Sequence, residues 1–455
     1  MATHQFPPRD KLRVPKDQAN SLDFGENDHD LARHTLAWCA IEEGKVPTEL
    51  LDQLLKTTRT SKGIPYQANL GWMLTQCQRS HEAINRLYKD LDDEPDSVEL
   101  NLFAAISLQR AKDFRTSKMI LERLVESSPR NYVAREYLAE ALLNLGQWRE
   151  GFREKEIARS ELTPLQQDYF KDVNRMWTGQ PLRGRNLVVV GNDRVSDQVQ
   201  FSRFIVQLLA QEPHMVGISC SPDLVELMRS LPGVNRVDDK RFEPYDYFVP
   251  VENLPLLLGS TPAALPSAAV LRCNARKARE QAAHLRREKP LFGICWRDFE
   301  THGCSEAELS YGSRANTPGL EKLSPWLEEL SDSYDLIAIQ PGILPEEAQI
   351  LASLGVRCPA PEVFEDYEKV AELLTCLDDL VTVDSPIAHL AGALGLHARV
   401  LLPYVSGWKW SVAKGKSQWY PDLDVYEKQS ENCWDKCLSE MFADVEKPVA
   451  LQAVS

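Results

Sequence analysis

Small residues recur in this chain at a fixed interval of 34 positions. Gly71, Ala105 and Ala139 form one such series, and Ala83, Ser117 and Gly151 form another. Pro95 and Pro129 keep the interval, and Pro164 misses it by one. A period of this length implies a two-helix hairpin repeated in tandem, because one hairpin cannot bury its apolar face alone. A small residue on each helix lets the paired backbones approach closely. Proline then closes the second helix, since it has no N–H to donate within a helix interior. The apolar stretches fit: "LNLFAAISLQ" pairs with "TSKMILERLV", and "YLAEALLNLG" with "GFREKEIA". Gly146 stands where the first helix of the third unit should end.

These features resemble tetratricopeptide repeats. About three units run from roughly Pro65 to Ser160, and residues 29–64 carry helical apolar spacing that reads as a degenerate first unit. A plain helical bundle is the simpler alternative. Repeat arrays present a concave groove, so a peptide or protein partner is expected there, or a homo-oligomer surface.

From residue 183 the rhythm changes. The runs "NLVVVGN", "HMVGISC", "VNRVDD" and "YDYFVPV" are β-rich and separated by helical segments. A charged stretch, "RCNARKAREQAAHLRREKP", reads as an exposed helix joining two sheets. A second series follows: "PLFGICWR", "YDLIAIQPG", "GVRCP", "LDDLVTVDS" and "ARVLLP". Strands alternating with helices imply parallel sheets with right-handed crossovers. The expected fold class is α plus α/β: helical repeats followed by two Rossmann-like domains. The boundaries read as a leader at 1–28, repeats at 29–165, a first half at 166–285, a second half at 286–445 and a tail at 446–455. "SENCWDKCLSEMFADV" reads as a closing amphipathic helix.

Composition excludes some partners. A formal charge of −15 over 455 residues argues against nucleic acid or an anionic membrane, which both need a basic surface. No apolar run approaches the roughly 20 residues that span a bilayer, and the polar start carries no signal-peptide core. The 10 cysteines are scattered without a CxxC pair, as for buried thiols in a reducing compartment. No metal site is expected, and the cytoplasm is the default location.

Two tandem sheets of similar size make the glycosyltransferase B architecture. The segments "MWTGQPLRGRNLVVV", "VSDQVQFSRF", "VPVENLPLLLG", "GICWR", "VTVDSPIAHLAGALG" and "VLLPYVSGWKWS" resemble those of bacterial tetratricopeptide glycosyltransferases of the heptosyltransferase-like superfamily. Domain order resembles, more distantly, the O-linked N-acetylglucosamine transferases. The resemblance implies an acceptor side on the first half and a nucleotide-sugar on the second. It also implies a closing helix that crosses back to the first sheet.

Site residues follow from the matched motifs. The "VDSPIAHLAGALG" turn resembles the donor-diphosphate loop, with Asp384, Ser385 and His389 at a strand end. A helix N-terminus there carries roughly half a positive charge and unpaired N–H donors, which suits a diphosphate. Gly392, on the donor-binding side, and Gly395 allow close packing. The simpler reading is an Asp/Ser cap with a core histidine. Asp197 matches the carboxylate that deprotonates the acceptor hydroxyl, although it could instead be an ordinary helix cap. In its turn, "GNDRVSD", Arg194 and Ser196 replace the family's two glycines. Arg194 could pair with a charged group on donor or acceptor, or fill the site. Gln200 is assigned with it to the acceptor side. On the donor side, Arg297 is an anion contact or a surface arginine, and Gln340 matches a nucleoside contact. Trp408 and Lys409 in "GWKW" offer stacking and charge, with core packing the alternative for the tryptophans. Arg314 carries little weight, and Trp419 and Tyr420 read as packing.

The implied activity is inverting, metal-independent sugar transfer from a nucleotide-sugar to a hydroxyl, with no further cofactor. The repeats imply a protein acceptor. The altered turns keep a second reading open: a catalytically impaired scaffold that binds a protein through its repeats.

Overall fold

In the computed structural model, which describes residues 70–71, 73–75, 77–159, 162–299, 317–410, 412–413, 415–430 and 433–445, the 34-residue period is a helical hairpin. Helices α1 (Ser80–Asp93), α2 (Val98–Arg110), α3 (Phe114–Ser127), α4 (Tyr132–Asn144) and α5 (Trp148–Ala158) follow one another through short turns. Pro95 and Pro129 lie just beyond α1 and α3. Ser97 caps α2 by accepting the Leu100 N–H, and Asn131 caps α4 by accepting that of Ala134. The small residues act as packing requires. A Cβ on Gly71 would lie 2.6 Å from a Leu87 methyl, and one on Gly151 would lie 2.6 Å from Leu143 Cγ. The leader, residues 29–64, Arg314 and the tail lie outside the described residues.

The chain divides into two compact units after Leu124. The hairpin α4–α5 belongs with the α/β part, which makes two sheets. The first has the order β3-β2-β1-β4, from β1 (Asn186–Val190), β2 (Met215–Ser219), β3 (Arg236–Asp238) and β4 (Tyr247–Pro250), all parallel. The second has the order β6-β5-β7-β8-β11-β10-β9. Its parallel strands are β5 (Leu291–Ile294), β6 (Asp335–Ala338), β7 (Asp379–Val383), β8 (Ala398–Leu402) and β11 (Leu423–Glu427). The short β9 (Val412–Ala413) and β10 (Lys416–Ser417) add an antiparallel edge. Val188, Val189 and Val190 are buried because a parallel sheet covered on both faces leaves no wet side.

Of the sequence-predicted strands, "GVRCP" reduces to one bridge between Arg357 and Ile337 at the edge of β6. The pairing of β11 beside β8 had no sequence signal. Helix α6 (Pro164–Phe170) opens with a Thr163/Gln166 capping box, and α8 (Ala275–Leu285) is the exposed helix between the sheets. Helices α9 (Gly319–Ser331), α10 (Pro345–Ser353) and α11 (Tyr367–Thr375) lie in the second half.

The closing helix, α13 (Asp435–Ala443), corrects an expectation. It does not cross back to the first sheet. Cys437, Leu438 and Met441 join Phe292, Val383 and Leu401 in the second sheet's own core. Arg399 Nη2 also donates to Asp444 O at 2.8 Å, just beyond its end.

Each sheet has one switch point, where the chain leaves a central strand to one side and later returns to the other. In the first it lies between β1 and β4, and in the second between β5 and β7. Ligands of open parallel sheets bind beyond the carboxyl ends of the strands at such points. Helix α7 (Val195–Leu208) starts after β1, and α12 (Pro386–Leu394) starts after β7. These two helices pack against each other.

Candidate active site at the two switch points

The turn between β1 and α7 is held by its own side chains. Asn192 Oδ1 accepts the Arg194 N–H at 3.1 Å. Gln198 Nε2 donates to Asn192 O and to Ser221 Oγ, both at 2.7 Å. A Cβ on Gly191 would lie 2.3 Å from Gln198 Oε1, so the remaining glycine of the turn admits that amide. Asp197 lies in the first turn of α7 and is 7% exposed. It is not the helix cap, which is Arg194. One of its oxygens accepts Asn192 Nδ2 at 3.1 Å, and the other forms an ion pair with Lys409. Burial raises the Asp197 carboxyl, but Lys409, Arg194 and Lys155 outweigh burial and hold it well below the ordinary carboxylate range.

Lys409 comes from the loop between β8 and β9, clamped by aromatic packing. Trp408 is 2% exposed, with Phe201 of α7 stacked at 6.4 Å and Phe152 of α5 edge-on at 5.3 Å. Trp148 stacks on Trp419 at 5.2 Å. Such pairs add about 0.5–1.5 kcal/mol each beyond area burial. Trp408 is therefore a packing residue, with its ring faces covered by the protein. Gln200, expected on the acceptor side, is buried and donates to Lys409 O at 2.9 Å, so it holds the loop. Glu140 of α4 accepts Lys155 Nζ at 3.0 Å and Trp408 Nε1 at 3.4 Å. Burial raises Glu140, but Lys155 and Lys409 bring it below its ordinary value. The third hairpin thus forms a wall around the loop that carries Lys409.

At the second switch point, Ser385 precedes α12 without capping it. Its hydroxyl instead lies 3.2 Å from Thr382 Oγ1 and 3.8 Å from Cys295 Sγ. Burial pushes the Cys295 thiol up to about 11, so it is an inert core group. Asp384 is partly exposed, 41% by side chain, and its Oδ1 lies 3.7 Å from His389 Nε2. His389 is buried, stacks on Trp410 at 5.0 Å, and its Nδ1 lies 3.0 Å from the Tyr420 hydroxyl. Gly392 takes the Tyr420 ring rather than a ligand: a Cβ there would lie 2.2 Å from Cδ1 of that ring. Sequence reasoning missed Tyr420 as a partner of His389. Its signal was Gly392 itself, a glycine inside a helix that marks close approach of a bulky group.

Arg297 and Gln340 are occupied by the protein. Gln340 Oε1 accepts the backbone N–H of Trp296 and Arg297, at 3.2 and 3.0 Å. Glu347 accepts Arg297 Nε at 3.2 Å, Arg297 Nη2 at 3.1 Å, Trp296 Nε1 at 2.7 Å and the Leu344 N–H at 2.9 Å. Both side chains therefore fix the end of β5.

Two groups of the expected set converge from opposite halves. Burial raises the Tyr420 phenol; Arg203 lowers it, and Asp197 and Asp384 raise it further, so it feels the charge of both carboxylates. Arg194 is exposed beside Asp197. Helical hairpins are followed by two tandem Rossmann-like sheets, each with its own switch point.

Comparison with known proteins gives structural likenesses at low identity. An ADP-heptose lipopolysaccharide heptosyltransferase II from E. coli is similar over 57% of this chain and 98% of its own, at 15% identity and a TM-score of 0.41. A family 9 glycosyl transferase from Veillonella parvula is similar over 59% and 99%, at 10% identity and 0.42. An O-GlcNAc transferase from Thermobaculum terrenum is similar over 84% of both chains, at 13% identity and 0.28. No family model and no curated relative matches the chain. Among the described residues, no helix is long and apolar enough to cross a membrane.

Proposed function

We propose that this chain transfers a sugar from a nucleotide-sugar to a hydroxyl, at the place where α7 and α12 meet. The observation that carries this reading is the convergence of Asp197 with the Asp384–His389 pair. They come from the switch points of separate sheets, on helices that pack against each other, and both aspartates act electrostatically on Tyr420. In this reading the donor diphosphate lies at the start of α12, where N–H groups and helix dipole favour an anion. Asp197 takes the proton of the acceptor hydroxyl. The acceptor oxygen attacks the anomeric carbon from the face opposite the diphosphate, and the bond from that carbon to the diphosphate oxygen breaks. The product anomer is inverted, the diphosphate leaves, and the proton rests on Asp197. Lys409 must leave Asp197 for this step, since an ion-paired carboxylate is a poor base. The nucleotide-sugar is the co-substrate, without a metal or cofactor. A protein acceptor held by the repeats is part of the same proposal.

The Lys409–Asp197 pair also favours a second reading. A cation seated on the candidate base is the arrangement expected of a scaffold that keeps the fold and has lost turnover. A panel of UDP-, GDP-, ADP- and CMP-linked sugars, assayed for hydrolysis and transfer, separates the two. An enzyme turns over at least one donor, and loses that activity in Asp197→Asn and His389→Ala by about 10²-fold or more. Donor binding without turnover of any sugar supports the scaffold.

A further inference from the structure

The imidazole of His389 faces a partner at each nitrogen, one buried and one partly exposed, and the two partners make opposite demands. Nδ1 lies 3.0 Å from the Tyr420 hydroxyl, and Nε2 lies 3.7 Å from Asp384 Oδ1. A phenol has one hydrogen to donate, and an ionised carboxylate only accepts. The Tyr420 side chain is 1% exposed, and His389 Nδ1 is its hydrogen-bond partner. Were Nδ1 protonated, the phenol hydrogen would have no acceptor there, and a bare Nε2 would face a carboxylate. Both conflicts vanish in one state, with the phenol donating to Nδ1 and the hydrogen on Nε2.

We propose that Tyr420 is a positioning residue that holds His389 in its Nε2–H tautomer, so that the histidine acts as a hydrogen-bond donor toward the donor diphosphate and not as a base. This rests on the sugar-transfer reading for the identity of the ligand, though the tautomer itself does not. The ring of Tyr420 is fixed for this task. Gly392 leaves the space it fills, and the Arg203 guanidinium lies 5.3 Å from its centroid. Trp410, stacked on the imidazole, restricts ring rotation. A fixed N–H on the Asp384 side of the ring stabilises charge on a departing phosphate oxygen there without reorganising. The partner that sets the tautomer of a histidine is the group on its other nitrogen, as in metal sites.

The test is ¹⁵N NMR of the histidine rings in the full-length chain at neutral pH, with His389→Gln used to assign the signal. The expected spectrum places the proton on Nε2 and leaves Nδ1 as an acceptor. Tyr420→Phe retains the ring and the fold, and should turn the signal into a mixture of tautomers. If a donor is turned over, the same variant should lower kcat by roughly tenfold with little change in KM, and circular dichroism should be unchanged. A proton on Nδ1 in the wild-type chain, or an unaltered signal in a folded Tyr420→Phe chain, overturns the proposal. Because the ring spectrum needs no substrate, failure here is distinct from failure to find a donor.

Discussion

Replacing Gly392 by alanine should break the Tyr420–His389 contact, at a cost that follows from the packing. The added Cβ would meet Tyr420 at 2.2 Å from Cδ1, 2.5 Å from Cγ and 2.7 Å from Cε1. Carbon atoms settle at about 3.5–4.0 Å, so the ring has to retreat by roughly 1.5 Å. It is not the free end of a flexible chain: Trp410 lies 6.0 Å away, centroid to centroid, and the Arg203 guanidinium lies 5.3 Å from the ring centroid. A retreat of that size stretches the 3.0 Å contact with Nδ1 beyond hydrogen-bonding range. Overpacking of this kind costs about 1–3 kcal/mol. Alanine returns about 1 kcal/mol in helix propensity at a mid-helix site. The net expectation is a loss of up to about 2 kcal/mol in urea unfolding followed by tryptophan fluorescence, together with a change in the His389 ring spectrum. Gly395→Ala is the control. Gly395 ends α12 at φ +70°, and a Cβ there would lie 2.9 Å from Ala269 Cβ, so its replacement costs about 1 kcal/mol or more through backbone strain and that contact, without touching Tyr420. A Gly392→Ala chain with the wild-type urea midpoint and an unshifted His389 signal would refute the argument.

Two further substitutions test the electrostatics. Lys409→Met should cost about 2–3 kcal/mol at neutral pH, below the roughly 3–5 kcal/mol of a fully buried pair, because the lysine is 23% exposed. The Asp197 carboxyl is held below its unfolded value, so this stability is present above about pH 4 and is lost as pH falls through the folded pKa. The gap between the two proteins in urea unfolding should therefore narrow in acid, and a gap that widens would contradict the assignment. Glu347→Gln replaces a carboxylate that accepts four N–H bonds with an amide that can accept at one oxygen only. Burial raises Glu347, but the Arg297, Leu344 and Trp296 donors leave it below its ordinary value. The expected loss is about 1–3 kcal/mol at pH 7, fading below about pH 4 as the wild-type glutamate protonates. A pH-independent difference would mean that packing, not charge, is responsible.

Local chemistry made much of the fold readable. The spacing of Gly71, Ala105 and Ala139 gave the hairpins because the same short unit recurs along the chain, and the valines of β1 gave a covered parallel strand because that signal is confined to neighbouring residues. The site was readable only in part. Asp197 and Lys409 are 212 residues apart, and nothing in either segment announces that one neutralises the other. Trp408 and Gln200 read as ligand contacts because an aromatic or an amide near a strand end looks the same whether it faces a cleft or the protein. Only the tertiary fold turns them inward, against Phe152, Phe201 and the Lys409 backbone. The third hairpin keeps the repeat period, yet packs as a wall of the α/β unit through Trp148 and Glu140. Periodicity records the shape of a hairpin and not which neighbour it joins.

The central claim is that an anionic nucleotide-sugar sits between α7 and the start of α12. Amide hydrogen exchange of the full chain, with and without each of the UDP-, GDP-, ADP- and CMP-linked sugars, tests it most directly. The account predicts that at least one donor slows exchange in both segments, 195–200 and 384–389, and that Asp384→Ala weakens the effect. Slowed exchange confined to other parts of the chain, or no change with any donor, would contradict it.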